Sequence, residues 1–319
     1  MAKVLVTGGA GFIGSSVAQK GIRNGHEVVI LDNLSSGSKN ALEHLESLGA
    51  KVVIGDIRDS DAVQRAMQGC DAVVHLAAQI SVPASVEDPQ ENYSINVEGT
   101  QLILNYCKQF DVKRVIIASS AAVYGREDRL PLREESAGDL LSPYAESKWE
   151  NEQQIIASRL NGQKAVALRF FNVYGPGQRA DGGYAAVIPK FIDMMVNGKT
   201  PTIHGDGLHT RDFVHVHDVC SAIFALIEDE WQAEKHHVYN VATQTKITLL
   251  DLIEAINNAL IKIQNEFVPL VPTHGPERVG DIRHSMANIE RIQTTLGWNP
   301  VIVFEDGIEG LVRERLNLK

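Results

Sequence analysis

The chain has 319 residues, 44% of them hydrophobic, enough for one large α/β domain with a smaller companion lobe. Its net charge of -10 argues against a nucleic-acid-binding surface, yet allows local positive groups to converge on a phosphate-bearing ligand in a cleft. Cys70, Cys107 and Cys220 are widely separated, no metal-type cluster is visible, and no window approaches the roughly 18 apolar residues of a spanning helix; no metal, no membrane and a cytoplasmic location are expected.

The opening KVLVTGGAGFIGSSVAQKGIRNGHEVVILDN reads as strand, glycine turn, helix and strand. Val4, Leu5 and Val6 make a short buried strand, and Gly8, Gly11 and Gly14 follow at three-residue spacing. Glycines without a Cβ permit a tight turn and a close backbone approach to a pyrophosphate, which the free N–H groups of the following helix attract. Asp32 ends the second strand, where a carboxylate can accept hydrogen bonds from an adenosine ribose diol and would repel a 2′-phosphate. NAD is therefore expected rather than NADP.

KVVIGDIRD supplies a third strand ending at Asp56, and DAVVHLAAQ a fourth ending in small residues. KRVIIASSAAVYG is a fifth, ending in Ser119 and Ser120, and helical segments fall around 94–109 and 145–160. Apolar strands alternating with helices predict a doubly wound, mostly parallel α/β sheet of the Rossmann type, covered on both faces. Asp32, Asp56, Gln79 and Ser120 lie at the strand ends, where such sheets bind ligands.

In SPYAESK, Ser142 suits a helix N-cap and Pro143 the first helical position, which sets Tyr144 and Lys148 one turn apart on one face. A free tyrosine, with a pKa of about 10, is a poor base at neutral pH. The lysine ammonium, with the positive ring of an oxidised nicotinamide, is expected to lower it, each unit corresponding to about 1.4 kcal/mol. Ser120, from a neighbouring strand end, can bond the same substrate alcohol and relay its proton.

These features resemble the extended short-chain dehydrogenase/reductase superfamily, through GGAGFIG and YAESK, from Lys3 to about Arg313. SVPASVEDPQENYSINVEGT, ASSAAVYG, ALRFFNVYGPGQ, HTRDFVHVHDV and PERVGDIRHSMANIERIQTTLGWNP are similar, more closely, to the NAD-dependent nucleotide-sugar 4-epimerases. The resemblance implies a catalytic trio of Ser120, Tyr144 and Lys148. It implies a pyrophosphate loop of Gly8, Gly11, Phe12, Ile13 and Gly14, and an adenosine-ribose side of Asp32, Asn33, Ser36 and Gly37. Asp56 and Ile57 would stand beside adenine, Ala77, Ala78 and Gln79 along the cofactor, and Asn96 behind both cofactor pocket and catalytic helix. Asn172, Val187, Arg211, Arg278, Asp281 and Ser285 would hold the UDP-sugar, the two guanidiniums against its diphosphate. It also implies a homodimer through a four-helix bundle built on the two helical segments above, with residues 1–170 as the NAD-binding domain. Residues 171–319 would then form mainly the smaller C-terminal substrate lobe, with some segments returning to the main sheet.

Several reactions compete on such a scaffold. A 4,6-dehydratase carries Asp-Glu where this chain has Ala121 and Ala122, and a C6 dehydrogenase needs a nucleophilic cysteine that none of the three supplies. A uronate decarboxylase or UDP-glucuronate 4-epimerase would hold a C6 carboxylate, for which the sequence shows no dedicated signal. Epimerisation through a transient 4-keto sugar needs only the trio and NAD. The small Ser285 matches a position whose side chain crowds the C2 substituent in some relatives, so UDP-GlcNAc/UDP-GalNAc is the favoured pair, with UDP-Glc/UDP-Gal also admitted. A non-catalytic nucleotide-binding regulator on the same fold would not need the intact trio. His215 and His217 alternate, as on one strand face, and read as structural or substrate-lining.

Overall fold

In a computed structural model of the chain, residues 1–159, 163–180, 186–230, 235–277 and 282–318 are described. The first part runs β1 (Lys3–Thr7), α1 (Phe12–Arg23), β2 (Glu27–Asp32), α2 (Lys39–Ser47), β3 (Lys51–Ile54), α3 (Ser60–Met67) and β4 (Ala72–His75). Two short helices, α4 (Val82–Glu87) and α5 (Pro89–Tyr93), lead through a π-type turn at Ser94–Glu98 into α6 (Gly99–Gln109). Then come β5 (Arg114–Ser120), α7 (Pro143–Arg159) and β6 (Lys164–Phe170).

The remainder supplies β7 (Asn172–Tyr174), α8 (Val187–Val196), β8 (Thr202–His204), β9 (Thr210–Arg211), β10 (Phe213–His215), α9 (Val216–Glu228) and β11 (Val238–Val241). It ends with β12 (Ile247–Thr248), α10 (Leu249–Ile263), β13 (Thr273–Gly275), α11 (Glu290–Leu296) and α12 (Phe304–Arg315).

Seven strands form one sheet in the order β11-β6-β5-β4-β1-β2-β3, with every neighbouring pair parallel. Short runs of Val, Ile, Leu and Ala make these strands because both faces are covered, so side chains in either direction enter a core. On one face Val17, Leu42, Val219 and Ile223 pack on Val6, Ile30 and Val74; on the other Ala62, Ile103 and Ile155 pack on Leu5, Val73 and Ile117. This is the doubly wound α/β sheet read from the sequence. Its edge strand β11 comes from late in the chain and pairs with β6, Val238 opposite Ala167. A third core of Phe191, Ile203, Phe213, Ile256 and Leu311 belongs to the smaller C-terminal α/β region, where α10 and α12 pack together.

Two local expectations change. The third strand stops at Ile54 rather than Asp56: Gly55 N–H makes the last ladder bond, to Asp32 O at 3.0 Å, and Asp56 then turns to meet Arg58. His215 and His217 do not share a strand face: β10 ends at His215, whose Nδ1 accepts from His217 N–H at 3.2 Å and caps α9. Their rings meet edge-on instead, at 4.8 Å. No described helix is long and apolar enough to cross a membrane, and no described group of three or more His, Cys, Asp or Glu could hold a metal ion.

Candidate active site

A cleft of about 580 Å³ opens beyond the carboxyl ends of β1, β4 and β5. Its floor is the glycine turn. Gly8 adopts φ +70, and a Cβ there would sit 2.8 Å from Ala77 N; a Cβ on Gly14 would sit 2.0 Å from Gly8 O. The turn must therefore be glycine to let β1 and α1 approach. Gly11 occupies the N-cap of α1 with no side-chain cap bond, so the first N–H groups of that helix face the cleft without an intrahelical partner. Those donors and the missing Cβ atoms fit the pyrophosphate of NAD. Gly14→Ala is expected to weaken NAD binding about tenfold to a hundredfold, the cost of forcing a methyl into packed backbone. Calorimetric titration with NAD measures this, and unchanged affinity would show that the turn does not hold the cofactor.

Asp32 sits at the adenosine end, buried. Its two oxygens accept from Ala10 N–H at 2.9 Å and Leu34 N–H at 2.8 Å, which fixes the carboxylate where a ribose diol could reach its free lone pairs. Gly37 packs so tightly there that a Cβ would lie 2.5 Å from Ala10 Cβ. Asn33 turns aside, donating from Nδ2 to Asp56 at 2.9 Å. Arg58 grips Asp56 and holds its carboxyl down at about 2, and the same guanidinium reaches Glu91 at 3.0 Å. The pair forms a charged clasp between β3 and α5. Ile57 is buried, and a Cβ on Gly99 would meet its Cδ1 at 2.7 Å, so its side chain packs on the start of α6 and does not line the cleft.

Ser142 caps α7 as its sequence suggests, its Oγ accepting from Ala145 N–H at 3.1 Å, and Tyr144 and Lys148 follow on one face. Ser120, Tyr144 and Lys148 all line the cleft, with Ser120 brought in by the end of β5. Lys148 Nζ donates to Ala118 O at 3.0 Å and stands 6.0 Å from the centre of the Tyr144 ring. Burial raises the Tyr144 phenol above its ordinary value, and the neighbouring Ser120 hydroxyl pulls the other way. Burial also draws the Lys148 ammonium down to about 8. Ser120 works toward the phenolate, and the Lys148 charge stands one turn away on the same helix face.

Asn96 straps the region together. Its Oδ1 accepts from Gln79 N–H at 2.8 Å, and its Nδ2 donates to Gln79 O at 2.9 Å and Ser147 Oγ at 3.0 Å. Thus the end of β4 is tied to the helix of Tyr144 and Lys148.

Of the residues read from the sequence, Gly8, Gly11, Phe12, Ile13, Gly14, Asp32, Ser36, Ala77, Ala78, Ser120, Tyr144, Lys148, Asn172 and Val187 line one cleft. Arg211 and Ser285 lie apart from its walls but close to each other: Ser285 N–H donates to Thr210 O at 3.1 Å, and Ser285 is buried. Arg278 and Asp281 lie outside the described residues. Phe170, Phe171, Tyr174 and Gln178 also line the cleft and were not singled out; they come from the strand end RFFNVYGPGQ, of which only Asn172 was promoted. Their signal is position, since β6 ends at Phe170 opposite Ser120 of β5 and the chain passes straight on into β7.

A family model described as the NAD dependent epimerase/dehydratase family matches residues 4–242. The UDP-glucose 4-epimerase of Mycolicibacterium smegmatis is 35% identical over 310 residues, 96% of each chain. A solved structure of a UDP-N-acetylglucosamine 4-epimerase from Methanobrevibacter ruminantium, in complex with UDP-N-acetylmuramic acid, superposes with a TM-score of 0.89 at 35% identity, covering 99% of this chain and 98% of that one. A Thermus thermophilus UDP-glucose 4-epimerase in complex with NAD does so with a TM-score of 0.84 at 33% identity, covering 98% and 99%.

Proposed function

Because the chain belongs to the NAD-dependent epimerase/dehydratase family, we propose that it inverts C4 of a UDP-hexose, with UDP-GlcNAc/UDP-GalNAc as the favoured pair and UDP-Glc/UDP-Gal also accepted. The observation that carries this reading is that Ser120, Tyr144 and Lys148 line one cleft with the glycine turn. When bound, NAD supplies a hydride acceptor that returns what it takes, so the net redox change is zero.

The chain's own part is proton handling and grip. Tyr144 Oη takes the proton of the 4-hydroxyl and later gives it back, while the neighbouring Ser120 hydroxyl steadies the phenolate. Lys148, fixed on Ala118 O, places a positive charge on the same helix face one turn away. Inversion requires the sugar to present its other face while the nucleotide stays put. Arg211, on β9, would hold the diphosphate, with Arg278 and Asp281 completing the grip, and Asn172 and Val187 flank the path between. The exposed face of α6 and α7, with Tyr93 and Leu102 at its edge, would join a second copy in a homodimer.

The test is incubation with UDP-GlcNAc and, separately, UDP-Glc, with products resolved by chromatography and proton NMR, first without added NAD and then with it. UDP-GalNAc formation supports the reading; no epimer from either sugar would overturn it. The specificity rests on the small side chain of Ser285. Ser285→Tyr is expected to cut kcat/KM for UDP-GlcNAc about tenfold to a hundredfold relative to UDP-Glc. An unchanged ratio would remove Ser285 from the sugar pocket.

A further inference from the structure

Thr7, the residue before Gly8, is fully buried at the end of β1. Its Oγ1 accepts from Ala77 N–H at 3.2 Å, and Leu76 N–H is shared between that oxygen and Thr7 O, each at 3.2 Å. The same hydroxyl stands 2.6 Å from His75 Nδ1. From the other end, Thr100 Oγ1 donates to Asn96 O at 2.6 Å, because a carbonyl can only accept. Thr100 must therefore accept from His75 Nε2–H, at 2.9 Å. The Thr100 end therefore fixes the neutral tautomer with the proton on Nε2, which leaves Nδ1 to accept from the Thr7 hydroxyl. Burial, helped by the Lys148 charge, holds the ring neutral, at about 3.

We infer that His75 and Thr100 are positioning residues for the Tyr144 chemistry. They form a hydrogen-bond chain of single polarity from the strand that feeds the glycine turn to the π-type turn that carries Asn96. That turn grips the catalytic helix twice. Asn96 O accepts from Asn151 Nδ2 at 2.8 Å, and Asn96 Nδ2 donates to Ser147 Oγ, whose hydroxyl donates to Tyr144 O at 2.8 Å. The glycine turn and the helix of Tyr144 are thus set against each other by groups that do not line the cleft. The chain has one direction, so no link can be reversed without leaving a buried polar atom unpaired.

The inference rests on the epimerase reading, and its test separates the two. Thr100→Val keeps the shape and deletes the hydroxyl; Thr100→Ser keeps the hydroxyl. Ile103→Val, one turn along α6 and fully buried, loosens the same core with no polar change. Thr100→Val is expected to lower kcat roughly tenfold to a hundredfold with KM for the UDP-sugar nearly unchanged, since a small misplacement of Tyr144 affects the chemical step more than nucleotide binding. Thr100→Ser restores most of the rate, and Ile103→Val, at a comparable loss of thermal stability, keeps it. Equal losses in Thr100→Val and Ile103→Val, or no loss in Thr100→Val, would overturn the inference.

The second readout needs no turnover. In protein labelled with 15N at histidine, the His75 ring is expected to show an unprotonated Nδ1 and a protonated Nε2 that do not titrate between about pH 5 and 9. The opposite tautomer, or titration in that range, sinks the relay even if the enzyme is active. A wild-type chain that converts no UDP-sugar, yet shows this tautomer, would sink the function and keep the relay.

Discussion

Tyr144→Phe protein is expected to convert UDP-sugar about 10² to 10⁴ times more slowly than the parent, while folding and binding NAD as the parent does. One hydroxyl is lost. The ring remains between Ser120 and Lys148, and Lys148 keeps its bond to Ala118 O, so cleft and helix have no reason to move. What disappears is the atom that would take the proton from the 4-hydroxyl and that the Ser120 hydroxyl helps to favour as an anion. The residual rate then comes from positioning alone. The measurement is single-turnover conversion of UDP-GlcNAc or UDP-Glc, with NAD affinity measured in parallel. A variant retaining a tenth of the parental rate would move the base elsewhere, and Ser120 would be the next residue to replace.

The glycine spacing, the acid ending β2 and the S-P-Y-x-x-x-K start of α7 were legible in the sequence because each is dictated locally: a turn without Cβ atoms, a strand end, an N-cap. What depends on distant partners was not legible. Asp56 reads as a strand end, but Arg58 pulls it into a turn. His217 reads as the second member of an alternating strand, yet the Nδ1 of His215 captures its N–H and starts α9. The Tyr144–Lys148 spacing is local and legible, whereas the carbonyl that anchors the ammonium, Ala118 O at the end of β5, is a distant partner that no spacing shows. Ser119 was visible only as the neighbour of Ser120. Its partner is on α7, and nothing in sequence spacing points there.

That partner carries the last expected result. Glu152, one turn beyond Lys148 on α7, is 1% exposed and forks onto Arg169 of β6, also 1% exposed, with both bonds at 2.8 Å. Ser119 Oγ donates to the same carboxylate at 2.5 Å, Arg169 donates to Glu134 O at 2.9 Å, and its guanidinium stacks 4.8 Å above the Tyr124 ring. Three elements that form the cleft wall meet at this pair. Glu152→Ala leaves a buried guanidinium without its counter-charge, so the free energy of unfolding is expected to fall by about 3–5 kcal/mol, read from denaturant midpoints. A loss under about 1 kcal/mol would mean that water reaches the pair. Replacing both partners, Glu152→Leu with Arg169→Met, removes the orphaned charge and is expected to recover most of that stability. Turnover should not recover with it, because Ser119 loses its acceptor and the end of β5 that presents Ser120 is no longer fixed to the helix that presents Tyr144. Stability regained without turnover would place the value of the pair in alignment of the proton-transfer groups. Recovery of both would make the ion pair dispensable and leave the setting of α7 to the Asn96 strap and the His75 chain behind it.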